Sequence, residues 1–238
     1  MSGGDKVRSF GGFLSRLGGG PRPADSDSPG TSPPRRHAHD GSVVPTKALR
    51  KFLSYLGSHD APVLLDCGPV VGSNVTFFGE QLNCKVYIED LFADLDRHLR
   101  AGTVDAFPAF LAKRLRLGER SVDGVLLWDL FDYLDRASAQ ALATALVRLI
   151  RVDGALLGFF STTASPESGF TKFVVVNEAQ VRHRPYPSVA TRQRSLQSRD
   201  IIKMFTGLSV SDSFLLHNTQ REILFRKPRA GAGGRPTI

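Results

Sequence analysis

Three acidic side chains in this sequence follow apolar runs, each at the point where the run ends. They are Asp66, Glu89 and Asp129, and each run is short and bounded by polar residues. Such runs are typical of strands buried in a parallel sheet. Ligands of open parallel sheets bind outside the carboxyl ends of the strands. The three carboxylates are therefore predicted to lie at one ligand-binding edge.

The segment Asp66-Cys-Gly-Pro-Val-Val-Gly72 after the first run has the composition of a nucleotide-binding loop. Gly68 and Gly72 let the backbone approach a ligand without a Cβ in the way. The dinucleotide pattern G-x-G-x-x-G keeps only its first glycine here, and the Gly-Lys-Ser/Thr of a P-loop is absent. Val70 is β-branched and disfavours a positive φ, so this loop departs from both patterns.

Strands and helices are predicted to alternate around these residues. The pattern indicates a Rossmann-like, doubly wound α/β fold with a mainly parallel sheet, helices on both faces and a C-terminal antiparallel strand pair. Periodicity predicts helices at 46–56, with Thr46 as N-cap, and at 74–82, 91–99, 108–116, 137–150 and 198–205. Strands are predicted at 62–66, 85–89, 122–128, 154–160, 208–216 and 222–225.

Composition divides the chain into three parts. Residues 1–44 are rich in Gly, Pro and Ser and are predicted to be a disordered tail. Residues 45–228 form the predicted domain, with a hairpin insertion near 173–184, and residues 229–238 form a flexible tail. Neither a secretory signal nor a transmembrane segment of about 20 apolar residues is seen, which favours a cytoplasmic protein.

Charge and cysteine content limit the partners. Residues 182–238 hold 11 Lys and Arg against 3 Asp and Glu, which accounts for the whole net charge of +8. This excess indicates either an anionic partner or nucleic acid bound through residues 182–227, or a solvated basic face. Cys67 and Cys84 are too few for a disulfide framework, and no metal-binding spacing of Cys and His occurs.

The order and spacing of these motifs resemble the class I S-adenosylmethionine-dependent methyltransferase family. The family's first motif is an acid followed by glycines at plus 2, 4 and 6, and this sequence has Asp66, Gly68, Val70 and Gly72. Glu89 stands where the family has a second acid, some two dozen residues later.

The resemblance extends over residues 46 to about 227. Residues 122–129 are similar to the family's fourth strand, and residues 152–154 stand where Pro-Gly-Gly is usual before the fifth. The terminal strand pair is similar to the family's reversed seventh strand. No clear strand lies between Glu89 and Val122, so the family's third strand has no counterpart.

The resemblance implies S-adenosylmethionine as cofactor, with Asp66 near its amino group and Glu89 accepting hydrogen bonds from its ribose hydroxyls. Asp105 is the candidate for the acid that contacts adenine. Two alternatives stay open: Asp66 caps the following turn, or Glu89 is a helix N-terminal charge, a part that Asp90 could also play. The candidate cofactor-binding residues are Asp66, Gly68, Gly72, Glu89, Asp105 and Asp129.

The catalytic residues are not assigned by the sequence. Asp129 and Tyr133 are candidates for positioning an unknown methyl acceptor or for general-base catalysis. Alternatively, Asp129 or Asp132 caps the next helix while Tyr133 packs against it. The leading hypothesis is a methyltransferase of unknown acceptor. Its rival is a non-catalytic, methyltransferase-like scaffold in which Val70 weakens the site and the basic C-terminal quarter binds a partner.

Overall fold

A computed structural model of the chain describes residues 41–163, 168–193, 196–216 and 219–229. The predicted tails therefore lie largely outside the described residues. Val43 and Val44, which the sequence analysis places in the N-terminal tail, form a short strand with Pro45.

The described part of the chain forms nine strands and six α-helices. The strands are β1 (Val43–Pro45), β2 (Val63–Asp66), β3 (Lys85–Ile88), β4 (Val122–Trp128), β5 (Ile150–Ser161), β6 (Ser168–Asn177), β7 (Gln180–Thr191), β8 (Ser209–Leu215) and β9 (Gln220–Arg226). The helices are α1 (Ala48–Leu56), α2 (Gly72–Leu82), α3 (Leu91–Arg100), α4 (Phe107–Arg114), α5 (Arg136–Leu149) and α6 (Ser198–Met204).

The main sheet has six strands in the order β3-β2-β4-β5-β9-β8. Strands β3, β2, β4 and β5 are parallel, and β9 is antiparallel to both of its neighbours, β5 and β8. This confirms the predicted Rossmann-like fold with a mainly parallel sheet and a C-terminal antiparallel pair. Between Glu89 and Val122 the described chain forms helices and a 3-10 turn but no strand, so β3 is the edge strand.

Helices cover both faces of the main sheet, as parallel strands require. Helices α1 and α2 pack on one face around Phe52 and Phe78, and α3 to α6 pack on the other. Every residue of β4 is buried between the two layers. A Cβ on Gly124 would lie 2.6 Å from Leu56 Cδ2, so this glycine lets α1 approach the strand. Within the described ranges, no helix has the length and apolarity needed to span a bilayer.

The start of α1 is stabilised by a residue far along the chain. The helix begins at Ala48 with Lys47 as N-cap, one residue after the predicted Thr46. The Thr46 hydroxyl still accepts from the Leu49 N–H at 3.3 Å. Buried Glu222 of β9 accepts hydrogen bonds from the backbone N–H groups of Lys47 and Ala48, at 2.9 and 2.7 Å. A carboxylate at this helix end is favoured by the helix dipole. The contact depends on tertiary structure, which explains why local sequence does not indicate it.

A second sheet, in the order β1-β7-β6, contains the hairpin. The hairpin spans Ser168–Thr191 and is longer than the predicted segment 173–184. Pro185 and Pro187 interrupt the strand signal of β7, because proline cannot donate to a ladder. Pro185 still pairs in register with Thr171 of β6. The hairpin lies between β5 and α6 in the chain and packs over the carboxyl ends of the parallel strands, as the contacts below show.

Candidate functional site at the carboxyl edge

The carboxyl ends of β2, β3 and β4 bring three of the candidate acids together. Asp66 pairs in register with Ile88 of β3 and with Leu126 of β4. The Glu89 N–H donates to the Asp66 carbonyl at 2.8 Å. Asp66, Glu89 and Asp129 therefore share one edge of the sheet.

Asp66 is buried and is already hydrogen-bonded within the protein. Its Oδ1 accepts from the Gly68 N–H at 2.9 Å and from Trp128 Nε1 at 2.7 Å. Burial raises the pKa of Asp66 to about 6. The hydrogen bond from the Gly68 N–H shows that Asp66 caps the following turn, which was one of the two alternatives for this residue. A Cβ on Gly68 would lie 2.6 Å from Trp128 Cδ1, so the glycine makes room for the indole.

Trp128, the single tryptophan of the chain, occupies a strained position at the end of β4. Its φ is +54°, a region that bulky side chains rarely adopt. The indole stacks on Phe173 of the hairpin, with ring centroids 5.1 Å apart and an interplanar angle of 4°. It also meets the edge of Phe159 at 5.7 Å. Strained residues of this kind cluster at functional sites. Trp128 and Asp66 are 62 residues apart, so no local sequence pattern indicates their contact.

The far end of the loop is open. A Cβ built on Gly72 would meet no atom within 4 Å, and Val70 is 61% exposed. Val70 therefore does not fill the space over the loop. Helix α2 starts at Gly72 without a side-chain cap and without an acid in its first turn. This end of the loop thus presents the positive end of a helix dipole.

Glu89, at the end of the neighbouring strand β3, forms an ion pair. Its Oε2 accepts from Arg114 of α4, and Arg114 Nε also donates to Asp94 at 2.9 Å. The side chains of Arg114 and Glu89 are 31% and 19% exposed. Asp90, not Glu89, caps α3, by accepting from the Ala93 N–H at 2.9 Å. The alternative that Glu89 serves as the helix N-terminal charge is therefore not realised.

A cavity of about 380 Å³ adjoins Glu89. Its other lining residues belong to α4 or follow it: Phe110, Lys113, Arg114 and Arg116. This cavity places an aromatic ring and three cationic side chains beside the Glu89 carboxylate.

Asp129 is fully buried beneath the hairpin. Its Oδ2 accepts from Arg192 at 2.9 Å, while its Oδ1 has no hydrogen-bond partner among the described residues. Arg192 Nε also donates to the Tyr133 hydroxyl at 3.2 Å. Burial, and then the charge of nearby Asp132, raise the pKa of Asp129 to about 7. Burial also raises the pKa of Tyr133.

The capping alternative at this end is wrong. Helix α5 is capped by Asp135, which accepts from the Ser138 N–H at 2.7 Å. Both oxygens of Asp132 instead accept from the Ser161 N–H at 3.0 Å. The Gln193 N–H donates to the Asp132 carbonyl at 2.7 Å, so the chain after β7 is tied to the end of β4.

Asp105 is not brought to the edge. It is exposed on a 3-10 turn, Val104–Ala106, which packs against α3 and α4. Within the described chain, Asp105 makes no hydrogen bond or ion pair with Asp66, Glu89 or Asp129.

Several cations of the basic C-terminal quarter are used within the fold. Arg192 pairs with Asp129. Arg226 lies 3.6 Å from the Tyr55 ring centroid, and Lys227 Nζ donates to the carbonyls of Val147 and Ile150. The excess charge of this quarter is therefore not wholly available to an external partner.

Known proteins were compared with the chain by sequence and by structure. No protein-family model matches it, and no curated protein matches it in sequence. Its backbone is similar to a 1,6-didemethyltoxoflavin-N1-methyltransferase of Burkholderia thailandensis, solved with S-adenosylhomocysteine bound. That match has 17% identity, covers 76% of this chain and 79% of that one, and has a TM-score of 0.44.

Two further solved structures give similar values. A geranyl diphosphate C-methyltransferase of Streptomyces coelicolor, also solved with S-adenosylhomocysteine, is 9% identical over 75% of this chain and 74% of that one, with a TM-score of 0.46. A S-adenosylmethionine-dependent methyltransferase of Clostridium acetobutylicum is 12% identical over 76% and 92%, with a TM-score of 0.47. All three are methyltransferases by name.

Proposed function

We propose that this protein is a S-adenosylmethionine-dependent methyltransferase whose cofactor binds at the carboxyl edge, between Gly72 and Glu89. The observation that carries the proposal is the glycine loop after β2, open at Gly72, with a carboxylate at the end of the neighbouring parallel strand β3. Arg114 binds only Oε2 of Glu89, and Oε1 forms no hydrogen bond with any described residue. A carboxylate oxygen can accept more than one hydrogen bond, so Glu89 fits vicinal ribose hydroxyls.

The remaining groups of the site fit a nucleoside that carries an amino acid. The backbone at Gly68 and Gly72 would line the cofactor, and Asp66 would bind its ammonium group. Asp105 is not part of the proposed site, because nothing in the fold brings it near Glu89.

When bound, the cofactor supplies a methyl group on a sulfonium, a reaction in which proximity and alignment provide much of the rate. Asp129 Oδ1 is the group on this chain that could take a proton from an acceptor at the same edge. The Tyr133 hydroxyl already accepts from Arg192, and burial keeps it protonated. The acceptor itself is not assigned.

Calorimetric titration with S-adenosylmethionine tests the proposal. We expect saturable binding by the unmodified protein and a dissociation constant about tenfold weaker for Glu89→Gln, since a hydrogen bond to a charged acceptor is lost. The matched control is Glu80→Gln, an exposed acid on α2, which should bind as the unmodified protein does. Absence of heat at millimolar ligand in all three proteins would contradict the proposal.

A second candidate function is a non-catalytic scaffold, favoured by the side chains that already partner two of the anchor groups. Trp128 and the Gly68 N–H share Asp66 Oδ1, and Arg192 holds Asp129 Oδ2. In this case residues 182–227 would bind an anionic partner, with an affinity that falls steeply as salt rises. Two binding experiments separate the two functions. Saturable binding of S-adenosylmethionine supports the methyltransferase, whereas its absence together with salt-sensitive binding of an anionic partner would identify the scaffold.

A further inference from the structure

Three residues link the proposed cofactor loop to the hairpin. Asp66 holds the Trp128 indole through Nε1, and the indole stacks on Phe173 of β6. All three side chains are buried, so the contacts exclude water. The same Asp66 oxygen also accepts from the Gly68 N–H. This oxygen therefore connects the loop to the hairpin through Trp128.

Asn74 provides a second link, two residues into α2. Its Nδ2 donates to the Phe173 carbonyl, and its Oδ1 accepts from the Val175 N–H, both at 2.8 Å. Asn74 therefore acts as an additional strand partner for β6. The hairpin is hydrogen-bonded to the helix whose first turn lines the proposed site.

The ladder of the hairpin is irregular at its other end. Gly169 at the start of β6 has a φ of +111°, and the pairing of β6 with β7 shifts register between Ser168 and Phe170. The partners of these two residues on β7 are Thr191 and Tyr186, so the additional residues lie on β7. Such an irregularity interrupts the ladder locally, and regular pairing begins again at Phe170.

We propose that Asp66 and Trp128 form a latch that holds the hairpin β6–β7 over the carboxyl edge, and that a ligand whose ammonium group binds Asp66 opens it. The opening step rests on the proposed function, because the cofactor there is the source of the ammonium. An ammonium adds the attraction between opposite charges to its hydrogen bond with the Asp66 carboxylate, which the neutral indole N–H does not supply. The strained φ of Trp128 further favours release.

The latch gives the site an order of binding. Asp129 is buried, and its Oδ1 has no hydrogen-bond partner among the described residues. Asp129 follows Trp128 directly in the chain, so movement of the indole would disturb the surroundings of Asp129. Cofactor binding would release Trp128, loosen β6 and expose Asp129, so the methyl acceptor enters second.

The latch is tested first without ligand, by hydrogen exchange of Trp128→Phe. Phenylalanine keeps an aromatic ring on Phe173 but cannot donate to Asp66. Exchange at the amides of β6 should rise about five- to tenfold, as expected for loss of one buried hydrogen bond. Amides of β4 report global unfolding in the same experiment.

The control Phe107→Leu removes a buried ring from α4 and should not accelerate exchange in β6 relative to β4. Equal β6 exchange in Trp128→Phe and the unmodified protein would overturn the latch.

The opening step is tested by tryptophan fluorescence, since Trp128 is the single tryptophan. S-adenosylhomocysteine carries the ammonium group, and 5′-methylthioadenosine has the nucleoside without it. The first should shift the emission to longer wavelength and accelerate β6 exchange, and the second should do neither at saturation. If S-adenosylhomocysteine binds by calorimetry without moving the emission, or if both ligands move it equally, the opening step is wrong. If neither ligand binds, both the proposed function and the opening step are wrong. Hydrogen exchange of Trp128→Phe still tests the latch, because that experiment uses no ligand.

Discussion

Two arginine–carboxylate pairs lie at the same sheet edge, one after β3 and one after β4, and they differ in burial. After β3, Arg114 meets Glu89, with 31% and 19% of the two side chains exposed. After β4, Arg192 meets Asp129, with 23% and 0% exposed. The first arginine comes from α4, and the second follows the hairpin.

The difference in burial means that Glu89 is accessible to a ligand, whereas Asp129 is enclosed by other parts of the protein. Around Glu89, the adjoining cavity and the 19% exposure of the side chain leave the carboxylate within reach of solvent. Around Asp129, the hairpin brings aromatic rings and Arg192 into contact with the edge. The hairpin end should therefore dominate stability, and the Glu89 end should dominate ligand binding.

The largest expected effect on stability is at Phe173. Phe173→Ala removes a buried ring that contacts Trp128, Phe159 and His183, and should lower the free energy of unfolding by about 4 kcal/mol. Urea denaturation followed by circular dichroism measures this. Val176→Ala, an exposed residue on the same strand, should cost under about 0.5 kcal/mol. A similar loss for both variants would mean that the hairpin packs loosely on the edge.

Arg192→Met should destabilise the protein by about 3 kcal/mol, because Asp129 is left buried without its counter-charge. The double variant Arg192→Met/Asp129→Asn should recover part of the loss, which a double-mutant cycle in urea measures. Arg50→Met, which breaks the exposed pair with Glu178, is the matched control and should change stability little. Additive losses in the cycle would show that Arg192 does not act through Asp129.

Stability should fall as the pH rises from about 4 to about 7. Burial raises the pKa of Asp129 to about 7 and that of Asp132 to about 6, from 3.8 in the unfolded chain. The folded protein then binds these protons more tightly, so their contribution is present at low pH and is lost as the pH passes the folded pKa values. Asp129→Asn should reduce the fall in the free energy of unfolding between pH 4 and pH 7 by about 1 kcal/mol or more. The exposed Asp60→Asn serves as control; a slope unchanged by Asp129→Asn would contradict the assignment.

The smallest effect is expected at the other pair. Glu89→Gln should cost less than about 1 kcal/mol, since both members of the pair with Arg114 reach solvent and screening weakens the attraction. Arg114 keeps its contact with Asp94 in this variant. Comparing this loss with that of Arg192→Met in the same urea series measures the contrast directly. Equal losses would remove the distinction between the two pairs.

The sequence predicted the parts of this molecule that depend on local pattern. The apolar run of β4 and the spacing of α5 match the observed strand and helix within a residue, because burial on both faces sets the run and the helical period sets the spacing. The acids at the ends of β2 and β3 were also placed correctly at the edge, since parallel strands align their carboxyl ends.

The contacts that define the site could not be predicted from the sequence. Arg192 was seen only as one cation in a basic segment, and its partner Asp129 lies 63 residues away. Trp128 and Asp66 are likewise 62 residues apart. Asp105 was chosen as a replacement for an acid on a missing strand, and the chain there folds into a 3-10 turn. Each outcome depends on tertiary packing, for which neither spacing nor composition carries a signal.

A crystal structure of the protein with S-adenosylhomocysteine tests the central claim most directly. The account predicts density for the nucleoside beside Gly72, with the ribose hydroxyls within about 3.2 Å of the Glu89 carboxylate. A ligand bound elsewhere, or an edge that stays empty at saturating ligand with the Glu89–Arg114 pair intact, would contradict it.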